Sequence, residues 1–164
     1  MEVLLRCEKC GGVLLYRNED GVDKGVFCEC QQKERIERRI NKYRNMSITD
    51  RNNSQDTFER AKTGSKAEDE IYLKFKKYAE NFHIAKQDNI GLMLAGGAGT
   101  GKTYVANCIS NKIMEKGYSV LSFNLSRYLM AIRENFPEEE KLLNAAKTVD
   151  LLFIDDVGSE KLTD

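Results

Sequence analysis

The sequence predicts an α/β fold in which helices cover both faces of a parallel sheet in three layers, behind a small cysteine-rich segment. Apolar runs of strand length alternate with helix-length segments over residues 90–157. A glycine-rich stretch joins the first run to the helix that follows it, and the last run ends in two adjacent aspartates. Four cysteines lie in two close pairs within the first 30 residues.

Composition bounds the class of protein. The 164 residues include 26 Lys or Arg and 26 Asp or Glu, so the net charge of zero gives no global argument for nucleic acid binding. With 41% hydrophobic and 32% charged residues, the chain has the composition of a globular protein of one ordinary domain or two small ones. No apolar run approaches the roughly 18 residues that span a bilayer, and the N-terminus lacks a signal-peptide core. We therefore expect a cytoplasmic protein that does not enter a membrane.

The cysteine-rich segment predicts a zinc hairpin. Two short strands are predicted at residues 13–16 and 25–27, on either side of a turn at 18–21. Cysteine pairs on either side of such an insert suit tetrahedral Zn²⁺, and about thirty residues bury too little apolar surface to fold without such a staple. Disulfides and free thiols are the competing interpretations, and a reducing compartment disfavours disulfides. The ligands of this structural, non-catalytic site would be Cys7, Cys10, Cys28 and Cys30.

Residues 31–45 predict a basic helix. They contain six Lys or Arg against two Glu, with a narrow apolar stripe formed by Ile36, Ile40 and Tyr43. This surface could contact nucleic acid or an acidic partner. The alternative is a solvated connecting helix, which the lack of interleaved aromatic residues favours.

A polar, turn-rich linker is predicted at residues 46–57, which show no periodicity. Residues 65–82 follow as an amphipathic helix. Its apolar face carries Ile71, Phe75, Tyr78 and Phe82 at helical spacing, and this face is expected to pack against the core.

Residues 96–103, GGAGTGKT, fit the phosphate-binding pattern G-x-x-x-x-G-K-[ST]. Glycines let backbone N–H groups turn toward phosphate oxygens in conformations that a Cβ would obstruct. Lys102 would bring a positive charge to the β- and γ-phosphates, and the Thr103 hydroxyl is an oxygen ligand for Mg²⁺. The expected ATP-binding residues are Gly96, Gly97, Ala98, Gly99, Thr100, Gly101, Lys102 and Thr103.

The context of this loop supports the motif. The apolar run Ile90–Ala95 is typical of a buried strand, and Val105, Ile109 and Ile113 then recur at helical spacing before Gly117. Phosphate binding by this motif requires a strand, then the glycine loop, then a helix, and the sequence predicts this order. The alternative is a glycine-rich turn that binds no nucleotide.

Residues 149–157, VDLLFIDDV, predict a strand that ends in two carboxylates. A strand at 118–124 and helices at 125–136 and 138–147 precede it. Because strands alternate with helices, the strands are predicted to pair in parallel. Asp155 and Asp156 would lie at the carboxyl edge of the sheet, where ligands bind. One carboxylate can hold Mg²⁺ through its water shell, and the next can orient or deprotonate the attacking water. Taken alone, the run would also fit a strand that ends in a polar turn.

The loop and the acidic run together look like the Walker A and Walker B elements of a P-loop ATPase. At this point the chain resembles the bacterial and phage replicative helicase loaders of the DnaC/DnaI type, a branch of the AAA+ ATPases. The resemblance depends on GGAGTGKT at 96–103, KGYSVLSFNLSRYLMAIRENF at 116–136 and LLFIDDVG at 151–158. A cysteine-based zinc module ahead of the ATPase is similar to the DnaI-type arrangement.

The resemblance implies a domain organisation and partners. Residues 1–45 would form the zinc-binding module with its basic helix, 46–57 the linker, and 58–164 the N-terminal part of an AAA+ ATPase domain. The protein would bind the replicative DNA helicase and help to place it on single-stranded DNA under the control of ATP. The module would contact the helicase, while the ATPase core would self-associate and contact the DNA.

The resemblance also implies residue roles. Lys102 and Thr103 carry over as the phosphate and Mg²⁺ residues, and Asp155 carries over as the acid on the metal side. Asp156 occupies the position of the residue that activates water, where the family has Glu or Asp. Lys102 and Asp156 are therefore the expected catalytic residues, with ATP, Mg²⁺ and Zn²⁺ as the cofactors.

The end of the chain departs from the family pattern. The sequence stops at Asp164, before the later strands, the sensor residue, the arginine finger and the helical lid. The core is therefore expected to be incomplete at its C-terminus, with weak nucleotide binding and very poor ATPase activity. Two alternative functions are a helper ATPase of the transposition type and a non-hydrolysing interaction module that binds a helicase.

Overall fold

The structure is a computed structural model that describes residues 1–48, 54–134 and 136–158. These residues belong to two compact units, Met1–Asn41 and Lys42–Asp164. Three predicted segments lie partly outside the described residues: the linker at 46–57, the helix at 125–136 and the ATPase segment at 58–164. The assignment of 1–45, 46–57 and 58–164 as module, linker and ATPase segment stays a prediction.

The first unit contains a three-stranded antiparallel sheet in the order β1-β2-β3. The strands are β1 at Glu2–Arg6, β2 at Val13–Arg17 and β3 at Asp23–Gly25. The hairpin of β2 and β3 turns at the predicted residues, where the Asn18 side chain accepts from the Val22 N–H at 2.8 Å. Its second strand was predicted at residues 25–27, but β3 pairs with β2 over Asp23–Gly25 and shares only Gly25 with that prediction. Strand β1 was not predicted, because its apolar residues are contiguous and lack the period of two that indicates a strand.

Helix α1 spans Glu29–Met46 and contributes residues to both units. It occupies the position of the predicted basic helix. Only the C-terminal end of the predicted apolar stripe is buried, since Tyr43 is 5% exposed whereas Ile36 is 43% exposed. The greater part of α1 is therefore a polar, solvated surface, and its last turn belongs to the core of the second unit.

The second unit has the predicted α/β class, and its parallel sheet is formed by β4 and β5. The two strands pair in register from Val120 with Leu151 to Asn124 with Asp155. Parallel pairing requires a crossover, which two consecutive helices supply here. The elements are α2 (Lys66–Glu80), α3 (Phe82–Gln87), α4 (Lys102–Glu115), β4 (Val120–Asn124), α5 (Leu125–Glu134), α6 (Phe136–Thr148) and β5 (Leu151–Asp155).

Helix α4 follows the glycine-rich loop and is the most buried helix among the described residues. Its predicted core positions Val105, Ile109 and Ile113 are all at most 5% exposed. Gly117 ends the helix with φ +88° and donates its N–H to the Met114 carbonyl at 2.9 Å, as the sequence predicted. None of the described helices combines the length and the apolarity needed to cross a membrane.

Helix α2 packs against α4 with a face that differs from the predicted one. Ile71 was expected to be inward, but it is 48% exposed. Ala79 is fully buried and Phe82, at the start of α3, is 2% exposed. The apolar stripe is wide enough to permit more than one rotation of the helix, and the packing against α4 selects one of them.

The run Ile90–Ala95 is not a strand in this structure, and the prediction of a strand there was wrong. Its residues have irregular backbone, and all but Leu94, which is half-buried, are exposed, with Ile90 at 53% and Met93 at 91%. A strand requires hydrogen-bonded neighbours, and no strand among the described residues pairs with this run. The apolar composition of the run indicates strand propensity, but a strand forms only where a neighbouring strand is available to pair with it.

Candidate functional site

The glycine-rich loop leads directly into the first turn of α4. Gly101 is the N-cap of the helix in the left-handed conformation, with φ +80°, and Gly99 also has a positive φ of +78°. Both angles are unfavourable for residues with a Cβ, so the two glycines permit this turn. The N-terminal dipole of α4 and its free N–H groups favour an anion at this position.

Lys102 lies across the loop. Its Nζ donates to the Gly96 carbonyl at 3.0 Å and to the Gly97 carbonyl at 2.7 Å. These acceptors are neutral, and a phosphate oxygen is a stronger acceptor because it is charged. The ammonium group is thus held where a bound phosphate could take over its hydrogen bonds with little movement of the side chain.

Thr103 and Asp155, which lie 52 positions apart in the chain, meet at the carboxyl end of β5. The Thr103 hydroxyl donates to Asp155 Oδ2 at 3.1 Å. The sequence predicted these two residues separately as oxygen ligands on the Mg²⁺ side of a nucleotide. A hydroxyl and a carboxylate at this separation fit a hard divalent cation that keeps several of its waters.

Asp156 follows β5 in the left-handed region, with φ +55°, and is exposed. Its Oδ2 accepts a hydrogen bond from the Asn124 side-chain amide at 2.8 Å, and its N–H donates to Asp155 Oδ1 at 3.0 Å. A positive φ in a residue with a Cβ is uncommon and is held here by these bonds. The carboxylate is therefore oriented beside Asp155 while it remains open to solvent.

Asn124 is a site residue that the sequence analysis did not identify. It is the last residue of β4, is 8% exposed, and caps α5 by accepting from the Arg127 N–H at 3.2 Å. Because β4 and β5 are parallel and in register, their carboxyl ends place Asn124 beside the two aspartates. The available signal was a polar side chain at the end of a predicted strand in a parallel sheet.

The cysteine cluster is a second candidate site, in the first unit. The four Sγ atoms of the predicted set all lie within 4.8 Å of one another. The Cys7 and Cys30 sulfurs are 3.5 Å apart and those of Cys28 and Cys30 are 3.2 Å apart. These separations exceed the roughly 2.05 Å of a disulfide and are near the roughly 3.8 Å between sulfurs that bind one tetrahedral Zn²⁺ at about 2.3 Å. The donor set therefore fits zinc.

Backbone geometry supports a thiolate at Cys7. Backbone N–H groups of Cys10 and Lys9 donate toward its sulfur and, with the thiol of Cys30, lower the pKa of Cys7 to about 6. The turn closes by hydrogen bonds from the Cys7 N–H to the Gly12 carbonyl and from the Gly11 N–H to the Cys7 carbonyl, both 2.8 Å. Cys7 and Cys28 are buried, whereas Cys10 is exposed.

A family model described as IstB-like ATP binding protein matches residues 23–164. The matched region contains the glycine-rich loop, the two adjacent aspartates and the second cysteine pair. It begins after the first cysteine pair.

Several curated proteins are similar to this chain over part of its length. The replicative helicase loader DnaC of Buchnera aphidicola subsp. Baizongia pistaciae (strain Bp) is 33% identical over 95 residues, which cover 55% of this chain and 37% of that protein. The replicative helicase loader DnaC of Escherichia coli (strain K12) is 36% identical over 90 residues, 52% of this chain and 35% of that protein. The replicative helicase loader DnaI of Bacillus subtilis (strain 168) is 33% identical over 75 residues, 44% of this chain and 24% of that protein. The chain thus spans less than two fifths of the length of these three relatives.

Proposed function

Because the chain belongs to the family of IstB-like ATP binding proteins, we propose that it binds ATP with Mg²⁺ at the loop formed by residues 96–103. The observation that carries this proposal is the hydrogen bond of 3.1 Å from the Thr103 hydroxyl to the Asp155 carboxylate. It joins the end of the phosphate-binding motif to the acidic strand, and these are the two places from which oxygen ligands for Mg²⁺ were expected.

Each residue has a distinct role in this proposal. Lys102 binds the β- and γ-phosphate oxygens, together with the backbone N–H groups of the loop. Thr103 and Asp155 hold Mg²⁺, which when bound would neutralise phosphate charge. Asp156 accepts a proton from the attacking water or orients that water, and the Asn124 amide, 2.8 Å from its Oδ2, keeps the carboxylate aimed. Asp156 has one methylene less than Glu, so the water must lie closer to the chain.

The process that we propose for the whole protein is helicase loading. The chain is similar to proteins named replicative helicase loaders of both the DnaC and the DnaI type. By that likeness it would help to place the replicative DNA helicase on single-stranded DNA under the control of ATP. These relatives do not favour the transposition-type helper or the inert interaction module.

The surfaces that would serve the partners remain predictions. The cysteine unit with α1 would contact the helicase, and the ATPase core would self-associate and contact single-stranded DNA. The exposed side chains of Arg38 and Arg39 on α1 offer positive charge for an acidic surface. Arg35 instead lies over the Phe27 ring, with its guanidinium carbon 4.2 Å from the ring centroid, which joins α1 to the cysteine hairpin.

A loading assay tests this function. The purified chain would be mixed with a bacterial hexameric replicative helicase, circular single-stranded DNA and ATP, and the fraction of circles that carry helicase would be measured. We expect the chain to raise this fraction only when ATP is present. Helicase binding without an effect of ATP would contradict ATP control, and the absence of any helicase binding would contradict the loader function itself.

We also propose that the cysteine cluster holds one structural Zn²⁺. Four thiolate ligands leave no open position, so this ion would stabilise the hairpin without catalysing a reaction. The support comes from sulfur separations of 3.2 and 3.5 Å and from the four sulfurs lying within 4.8 Å of one another, in a turn whose backbone N–H groups point toward Cys7.

Replacement of Gly12 by Ala should weaken zinc binding by about tenfold or more. A Cβ at this position would lie 2.8 Å from the Cys28 Cβ and 3.3 Å from the Cys10 sulfur, so two of the ligands would have to move. Competition with a chromogenic zinc chelator measures the affinity. The matched control is Gly25→Ala, because the nearest atom to its new Cβ is the Leu14 carbonyl oxygen at 4.0 Å. Equal zinc affinities of the two variants would contradict the proposed site.

A further inference from the structure

The last turn of α1 is anchored in the core of the second unit. Tyr43 is 5% exposed and packs in one cluster with Leu121 and Phe123 of β4. Its hydroxyl hydrogen-bonds to the Thr148 hydroxyl at 2.8 Å, at the end of α6. Met46, in the same turn, packs against this cluster. The end of α1 therefore has a fixed position on the sheet.

The two residues that follow α1 are bonded to the backbone of β4. The Ser47 hydroxyl donates to the Tyr43 carbonyl at 3.0 Å and accepts from the Ser122 N–H at 3.0 Å. The Ile48 N–H donates to the Ser122 carbonyl at 2.9 Å, and the Asn124 N–H donates to the Ile48 carbonyl at 2.6 Å. Ile48 thus pairs in parallel with Phe123 and extends the sheet by one residue beside β4. The sequence analysis had assigned both residues to a polar linker.

Asn124 connects this anchor to the candidate Mg²⁺ site. Its backbone N–H is bonded to Ile48, and its side-chain amide donates to Asp156 at 2.8 Å. The Asp156 N–H donates to Asp155 Oδ1 at 3.0 Å, and Thr103 donates to the other Asp155 oxygen at 3.1 Å. A continuous series of hydrogen bonds therefore runs from Ile48 to both residues that would hold the metal.

We infer that Ser47 and Ile48 are positioning residues for the Mg²⁺–nucleotide site, acting through Asn124. This inference rests on the proposed ATP binding. Ser122 and Asn124 are each 8% exposed, so their N–H groups have no ready replacement by water if the anchor is removed. The end of β4 would then shift to find new partners, and the amide that orients Asp156 would move with it. The Asp156 N–H, which donates to the ligand Asp155, would be displaced as well. Ligand geometry for Mg²⁺ tolerates only about 0.5 Å of such movement.

The experiment compares two disruptive variants with two conservative ones in the full chain. Ser47→Ala removes the acceptor for the Ser122 N–H, and Ile48→Pro removes the donor to the Ser122 carbonyl. Ser47→Thr keeps the hydroxyl, and Ile48→Val keeps both backbone bonds. The affinity for a fluorescent ATP analogue would be measured with EDTA and across a Mg²⁺ titration, with a urea unfolding curve for each variant.

The disruptive variants should need about tenfold more Mg²⁺ for half-maximal enhancement of nucleotide binding, whereas the conservative variants match the wild type. Their affinity without Mg²⁺ should be unchanged, because Lys102 and the glycines of the loop, which would bind the phosphates, are not part of the hydrogen-bond series. A common Mg²⁺ midpoint for all chains would overturn the inference, and so would an equal loss of affinity with and without Mg²⁺. Ser47→Ala serves as the test if Ile48→Pro does not fold.

The same data separate this inference from the proposed function. If the wild type bound nucleotide saturably and Mg²⁺ enhanced this binding, but the variants had the same Mg²⁺ midpoint, only the inference would be contradicted. A folded wild type that binds no nucleotide would contradict the proposed ATP binding, and therefore also the inference that rests on it.

Discussion

Replacement of Lys102 by Ala should weaken nucleotide binding by about 100-fold, which corresponds to about 2.7 kcal/mol. The ammonium group is held by the Gly96 and Gly97 carbonyls at 3.0 and 2.7 Å, at the position where phosphate oxygens would accept its hydrogen bonds. Each hydrogen bond to a charged group contributes about 1.5–3 kcal/mol, and alanine removes all of them together with the charge. Titration of a fluorescent ATP analogue in the presence of Mg²⁺ measures this loss.

The matched control for this prediction is Lys112→Ala. Lys112 lies on the same helix, three turns away from the loop, and forms an ion pair with Glu115 at 3.0 Å. Its removal changes the net charge by the same amount but should leave nucleotide affinity unchanged, because an exposed pair of this kind contributes little. If Lys102→Ala and Lys112→Ala bound the analogue equally well, the nucleotide would not be held by the glycine-rich loop.

Replacement of Asp150 by Ala should lower the free energy of unfolding by about 2–4 kcal/mol. The Asp150 side chain is 3% exposed and forms an ion pair with Lys86. Its Oδ2 accepts from the Ser119 N–H at 2.8 Å and from the Ser119 hydroxyl at 2.7 Å. Ser119 is fully buried, so the variant would leave a donor without a partner where water does not reach it. Urea unfolding of the second unit measures the change.

The control for the second prediction separates the buried hydrogen bonds from the ion pair. Lys86→Ala removes the other partner, whose side chain is 47% exposed, and should cost less than about 1 kcal/mol. Asp150→Asn, which keeps an acceptor for Ser119, should fall between the two. If Asp150→Ala were as mild as Lys86→Ala, the carboxylate would not be stabilising the junction of β4 and β5.

Local patterns predicted those parts of the structure that depend on local spacing. Helix α4 buries Val105, Ile109 and Ile113 because a period near 3.6 residues defines one face of a helix wherever the chain folds. The order of strands and helices likewise led to the parallel pairing of β4 with β5, since such a crossover leaves few alternatives. The spacing of the cysteines predicted a cluster whose four sulfurs lie within 4.8 Å of one another.

Predictions failed where the result depends on a distant partner. The run Ile90–Ala95 has the composition of a strand but no paired neighbour in the described part of the chain, and it is irregular. Helix α2 faces α4 with a different rotation from the one that its most apolar stripe indicated, which leaves Ile71 48% exposed. Ser47 and Ile48 have a polar, turn-rich context, yet their hydrogen bonds to β4 make them part of the sheet.

The sequence by itself determined the chemistry that this protein can offer, because residue types and short spacings specify a glycine-rich loop with a lysine, two carboxylates and four thiols. Only the tertiary structure decided which of the three aspartates near β5 has which environment. Asp150 is buried against Ser119, Asp155 faces Thr103, and Asp156 is exposed and held by an amide from β4. Their places in the chain differ by a few residues, but burial and partners come from strands and helices tens of residues away. The environment of each aspartate is set by these distant contacts, which no local sequence pattern encodes.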